Sequence, residues 1–141
     1  MAKLKCNVGE YGIIINKKNE FLILRLPKSK DFPTEPWMFP GGRMEESDQP
    51  ESGLKREILE ETELKVKIIQ PVHVAMWGIE NPMKYAVFFL CKLMSNQKEK
   101  ISLEHKESKW VGFDEIGKIN WHNINSKIAI TKVKKLLLKK I

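Results

Sequence analysis

Glu57, Glu60 and Glu61 stand at spacings that a helix turns into one face, with Arg56 immediately before them. At about 100° per residue the three carboxylates fall within an arc of roughly 100°, and Arg56 lies about 40° beyond Glu60. Like charges at i, i+3 and i, i+4 each cost a few tenths of a kcal/mol, and acids in a last turn oppose the helix dipole. A purely structural helix avoids such a grouping, so something positive is expected in front of it. Clustered carboxylate oxygens with no histidine or thiolate suit a hard cation, Mg²⁺ or Mn²⁺. Gly41 and Gly42 lie a short segment upstream and can bring a backbone carbonyl beside these oxygens, which completes a usable set of Mg²⁺ ligands. On these residues alone a second reading stays open, a solvated acidic face of Glu57, Glu60, Glu61 and Glu63 relieved by Lys55, Lys65 and Lys67.

The helix that must carry these residues is predicted between Pro50 and Thr62, where Leu54 and Ile58 share a face and Pro50 suits the first turn. Upstream, Tyr11–Ile15 and Phe21–Leu26 read as strands of a hairpin around Asn16–Glu20. A surface loop from Pro27 to Pro36 follows, then a short apolar piece, Trp37–Phe39, and Pro40-Gly41-Gly42, which is expected to break regular structure. Downstream, Leu64–Trp77 and Lys84–Met94 read as strands, the first interrupted by Pro71 and the pair joined by a turn at Asn81 and Pro82. Trp110–Phe113 reads as a strand, Asp114–Ile119 as a short helix, and Ser126 as the cap of a last helix carrying Ile130, Val133 and Leu137. Strands, a central helix, more strands and a terminal helix predict an α+β domain in α/β/α layers, a curved mixed sheet packed between helices. The length predicts one domain over residues 1–141.

Composition narrows the class. With 42% hydrophobic and 30% charged residues the chain reads as globular rather than disordered or fibrous. Its longest apolar run, Ala86–Cys91, falls far short of the roughly 18 residues of a membrane span, and no apolar stretch follows the basic start, so a cytoplasmic location without a membrane partner is expected. Cys6 and Cys91 stand far apart with no zinc-like pattern, and neither a disulfide nor a zinc site is expected. The net charge of +7 favours an anionic partner. That charge is segregated: six lysines lie between Lys127 and Lys140, whereas acids crowd between Glu45 and Glu63. Base rates make those lysines the solvated face of the last helix rather than a binding patch.

The stretch Gly42–Leu64 resembles the Nudix box, G-x5-E-x7-R-E-U-x-E-E-x-G-U with U apolar: Gly42, Arg56, Glu57, Ile58, Glu60, Glu61 and Leu64 all fall in register. Trp37, Pro40 and Gly41 match the W-x-x-P-G-G lead-in of MutT-like members, and Arg25, Glu104, His105, Glu107 and Trp110 extend the likeness along the chain. Three positions depart from the pattern. Asp48 replaces a glutamate, Glu63 replaces the glycine after the helix, and Ser47 stands where many members have glycine. If Glu63 keeps a left-handed conformation, the expected cost is about 1–2 kcal/mol.

The resemblance implies hydrolysis of a nucleoside diphosphate linked to another moiety, by metal-assisted attack of water on phosphorus. It assigns Glu57, Glu60 and Glu61 as ligands of Mg²⁺, for which Mn²⁺ substitutes, with a carbonyl from the Gly42 region. Arg56 would orient a glutamate and Asp48 contribute from outside. The general base is a box glutamate or one of Glu104 and Glu107. Trp37, Phe39, Trp77 and Phe88 are candidates to stack on the base, although each also reads as a core residue. Arg25 and Arg43 are candidates to meet phosphates. The expected substrate is a nucleoside triphosphate, standard or modified, with ADP-ribose and dinucleoside polyphosphates as alternatives. A 5′-end pyrophosphohydrolase of RNA and a non-catalytic nucleotide- or RNA-binding module are the other readings, and a homodimer is left open.

Overall fold

The computed structural model describes residues 3–78 and 83–139. β1 (Cys6–Ile15) and β2 (Glu20–Arg25) form the expected hairpin. Its turn is closed by the Asn16 side-chain oxygen, which accepts from the amides of Lys18 (3.0 Å) and Glu20 (2.9 Å). The two strands pair only at Ile15 and Phe21 and then diverge. Two short strands fill the wedge: β3 (Trp37–Met38) pairs with β2 and β4 (Gly41–Arg43) pairs with β1. The glycines expected to break regular structure are thus part of a strand, because a neighbouring strand needs their lack of side chain for close approach.

α1 (Pro50–Thr62) follows, with Pro50 in its first turn. β5 (Val66–Trp77) runs antiparallel to β6 (Met83–Leu93), with register shifts at Ile68/Gln70 and Pro71/His73, on either side of the proline that cannot donate to the ladder. β6 lies parallel to β1 and β7 (Glu107–Gly112) is antiparallel to β2, which makes the sheet mixed, in the order β3-β2-β1-β6-β5. A 3₁₀ turn, Phe113–Lys118, leads to α2 (Ile124–Leu138).

Strand alternation sends two apolar sets to opposite faces. Ile14, Leu22, Leu24, Phe89 and Cys91 pack with Leu54 and Ile58 of α1; Tyr11, Ile13, Phe21, Ile23, Phe88 and Leu90 pack with Ala129, Ile130 and Val133 of α2. This is the predicted three-layer arrangement. Several boundaries differ from the sequence reading. β1 begins at Cys6 rather than Tyr11, β7 begins three residues earlier than expected, and the short helix is a 3₁₀ turn. Asn123, not Ser126, caps α2, since its side-chain oxygen accepts from the Asn125 amide at 2.8 Å while Ser126 is buried inside the helix. The turn expected at Asn81 and Pro82 lies outside the described residues. Both cysteines are free. No helix among the described residues is long and apolar enough to cross a membrane.

Candidate active site

Leu54 and Ile58 seat α1 on the sheet, and Glu61 continues that same buried stripe one turn on. It is only 5% exposed, a carboxylate where helix periodicity calls for an apolar side chain. Glu57 is partly buried and Glu60 is exposed, so the three glutamates fan from core to solvent. β4 lies directly beneath them. The Gly41 amide donates to Glu61 Oε1 at 2.7 Å. Gly41 has φ +147°, and a Cβ there would stand 2.0 Å from the Glu10 carbonyl oxygen, so glycine is required. A Cβ on Gly42 would stand 3.0 Å from Glu57 Oε2, which places the Gly42 backbone against that carboxylate.

Arg56 organises the outer rim. Its Nη1 and Nη2 donate to the two oxygens of Asp48 at 2.6 and 3.1 Å, Nη2 also donates to Glu57 Oε1 at 3.1 Å, and Nε lies 3.6 Å from Glu60 Oε1. The shorter Asp48 therefore reaches Arg56 in full, packed against Gly53. It also accepts from the Glu45 amide at 2.8 Å. The Arg56 hydrogen bond is the main reason its carboxyl is held below the usual range.

The inner carboxylates are shifted the other way. Burial above all pushes Glu61 up to about 8; the Gly41 amide opposes this, and Glu57, Glu104 and Glu60 add to it by repulsion. Glu57 is raised by burial, against the pull of its bond to Arg56. Glu10 on β1, which the sequence reading missed, is pushed to about 7 by burial and then by Asp48 and Glu57. The buried His105 approaches Glu61 with Nε2 at 3.6 Å from Oε2, but burial lowers its pKa, so this is a polar contact between neutral groups rather than an ion pair.

Other predicted residues are distributed unevenly. Glu104 is close enough to raise both Glu57 and Glu61. Glu107 instead pairs with Arg25 at 2.8 Å, its partner in the β2–β7 ladder, and Arg25 Nε donates to the Glu35 carbonyl at 3.1 Å. These two residues therefore satisfy each other away from the cluster. Phe39 and Phe88 are fully buried, packed edge-to-face with ring centroids 6.3 Å apart, so neither offers a face for stacking. Trp37 and Trp77 are only partly buried and keep that option. Trp77 belongs to a group with Tyr11 and His122 under Lys84, whose Nζ lies 5.0 Å from the Tyr11 ring and 5.6 Å from the Trp77 ring. Arg43 is exposed beside Gly42 and helps burial to lower the Lys84 pKa, which marks two neighbouring cations.

The donor set on α1 and β4 is all oxygen, which suits a hard divalent cation. The glutamates repel one another, and a buried Glu10 oxygen beside them has no hydrogen-bond partner. As the side chains stand, no three His, Cys, Asp or Glu among the described residues converge on one point that could hold a metal. One oxygen of Glu57 is engaged by Arg56 and one of Glu61 by the Gly41 amide. The residues fit a cation in chemistry, with side-chain adjustment needed to gather them.

Comparison with known proteins agrees with this geometry. The NUDIX domain family model matches residues 8–131. The 8-oxo-dGTP diphosphatase of Buchnera aphidicola subsp. Schizaphis graminum (strain Sg) is 33% identical over 118 residues, covering 83% of this chain and 85% of that protein. Nudix hydrolase 5 of Arabidopsis thaliana is 26% identical over 133 residues, covering 86% of this chain but only 43% of that protein, so the chain spans less than half of this relative. Among solved structures, the MutT protein from Methanosarcina mazei Go1 superposes with a TM-score of 0.79 at 21% identity, over 96% of this chain and 97% of that one. A C. elegans Ap4A hydrolase complex gives 0.80 at 20% identity, over 94% and 98%. With the box residues carried on α1 and β4 in register, the chain belongs to the Nudix family as a MutT-like member.

Proposed function

We propose that the protein hydrolyses a nucleoside triphosphate to the monophosphate and pyrophosphate, by Mg²⁺-dependent attack of water on phosphorus. The observation that carries this reading is the placement of Glu57 and Glu61 against the Gly41-Gly42 backbone, with Arg56 holding Glu57 in place. Glu57, Glu60, Glu61 and a carbonyl of the Gly42 region would hold the cation. When bound, it neutralises the polyphosphate, polarises the P–O bond and lowers the pKa of a bound water.

The remaining work falls to the chain. Arg56 orients Glu57 through a charge-assisted bond and is itself fixed by Asp48. Glu104 makes no side-chain hydrogen bond or ion pair among the described residues and is near enough to act on Glu57 and Glu61, so it is the residue we assign to accept the proton from the attacking water. That water's oxygen forms the new bond to phosphorus, and the bridging P–O bond breaks with its electrons leaving on pyrophosphate. Arg43, beside Gly42, and its neighbour Lys84 are the cations available to meet the phosphates. Trp37 and Trp77 are available to the base. Likeness to the 8-oxo-dGTP diphosphatase of Buchnera makes an oxidised purine triphosphate the first substrate to try.

The test is pyrophosphate and phosphate release from standard and oxidised nucleoside triphosphates, ADP-ribose, dinucleoside polyphosphates and 5′-triphosphorylated RNA, with and without Mg²⁺, beside Glu61→Gln. Turnover of triphosphates that needs metal and is lost in the variant is the expected result. Turnover confined to another substrate group reassigns the substrate. Nucleotide binding by folded protein with no turnover on any substrate makes the domain a binding module instead.

A further inference from the structure

β1 carries a carboxylate where the fold calls for an apolar side chain. Glu10 alternates with Gly12 and Ile14, the residues of β1 that pack toward Ile58 of α1. It is 3% exposed, and its Oε2 has no hydrogen-bond partner. Arg56, the cation that acts on Glu10, spends its bonds elsewhere, on Asp48 and Glu57. Protonation at Oε2 would remove the charge yet leave a buried O–H without an acceptor, which is itself costly.

The position of Glu10 suggests what would satisfy it. Its ladder partner is Gly42, and partners across an antiparallel pair send their side chains to the same side of the sheet. The room a Gly42 side chain would take is occupied by the Glu57 carboxylate. Asp48 and Glu57 are the charges that repel the ionised Glu10. The unpartnered Glu10 oxygen thus belongs to the residue paired with the glycine that backs Glu57, and Asp48 is near enough to repel it.

We propose that Glu10 is a further oxygen ligand of the divalent cation, extending its site from α1 across Gly42 onto β1. This rests on the metal-dependent reading of the α1 glutamates. A cation there supplies Oε2 with its missing partner and relieves the repulsion among Glu10, Glu57 and Asp48 together. It also accounts for Gly42 beyond the contact with Glu57, because a side chain at that position would wall Glu10 off from α1.

The experiment is calorimetric titration of the metal-free protein with Mn²⁺ at pH 7.5, comparing wild type, Glu10→Gln and Glu57→Gln, with the metal-free Tm of each as a fold control. Glu10→Gln is expected to bind Mn²⁺ at least tenfold more weakly while its metal-free Tm equals or exceeds that of wild type. Wild-type affinity in Glu10→Gln, alongside weakened binding in Glu57→Gln, overturns the role of Glu10 and leaves the α1 site standing. Failure of wild type to bind Mn²⁺ overturns the metal reading as a whole. Should Glu10→Gln not fold, Glu10→Asp, which withdraws the charge by one methylene, takes its place with the same expected loss and the same refuting result.

Discussion

Glu63 ends α1 in a left-handed conformation, φ 57° and ψ 20°, with its amide bonded to the Leu59 carbonyl at 2.9 Å. That geometry costs a residue with a Cβ about 1–2 kcal/mol and glycine nothing. Against this, glycine adds freedom to the unfolded chain, a loss of about 0.4–1 kcal/mol. Removing the carboxylate from the negative end of a helix whose last turn has no basic residue returns a few tenths of a kcal/mol. Glu63→Gly is therefore expected to stabilise the protein by about 1 kcal/mol, or roughly 3–4 °C in Tm for a chain of this size. Thermal unfolding followed by circular dichroism in EDTA at pH 7.5 would show it. Glu63→Ala is the control: it removes the charge but keeps the Cβ, so its Tm should rise by no more than about 1 °C. Equal gains in the two variants would refute the strain argument and leave charge as the cause, and a loss in Glu63→Gly would refute both.

Three further outcomes follow from the site. Glu61 sits near 8 in the fold against an ordinary 4.5, so the metal-free folded state holds a proton that the unfolded chain has lost, and stability falls as pH rises from about 4.5 to 8. Tm measured in EDTA should decline across that window, and Glu61→Gln should flatten the decline. Arg56→Lys keeps the charge but loses the paired bonds to Asp48 and the bond to Glu57; hydrolysis should drop about 10–100-fold in a steady-state assay, with the metal-free Tm changing little. His122 is held down to about 4 by burial and by Lys84, so its stabilising neutral form is retained above pH 6.5 and lost as pH falls through about 4. Its imidazole resonances in an NMR titration should stay unshifted from pH 7 to pH 5.

Legibility in the sequence depended on whether local pattern and local structure coincide. The α1 helix was readable because Pro50, Leu54 and Ile58 state its start and its buried face, and the glutamate spacing states its outer one. The three-layer fold followed from the element order. Glu10 was missed because the apolar run of β1 begins at Tyr11; had the strand been extended back by its period of two, a glutamate would have appeared in register with Ile14 on the inward face. Phe39 and Phe88 could not be told from Trp37 and Trp77 by residue type, since only the packing of the sheet against α2 decides which ring is enclosed. Arg25 and Glu107 are far apart in sequence, and only the β2–β7 register brings them into a pair remote from the cluster. The cap of α2 was misplaced for a simpler reason: Asn123 and Ser126 are both good caps, and the backbone amide of Asn125 decides between them.

The places where this chain departs from what its fold would choose are of two kinds, and cations separate them. Glu61 on the buried stripe of α1 and Glu10 on the inward face of β1 each oppose folding alone, yet they flank the same two glycines and share the same relief, a positive charge between them. Glu63 is strained on its own, at the end of the helix, with nothing to relieve it except a different residue. Saturating divalent cation, at about 100 times its dissociation constant, adds roughly 2.7 kcal/mol to a folded state that alone binds it. That increment should be the same in wild type and Glu63→Gly, so the two stabilisations add. In Glu61→Gln and Glu10→Gln, at the same cation concentration, it should fall to about half or less, although both variants start from a metal-free state at least as stable as wild type at pH 8. A Glu61→Gln variant that still gains the full increment from Mg²⁺ or Mn²⁺ would mean that the buried carboxylates are strain without function, the same in kind as Glu63.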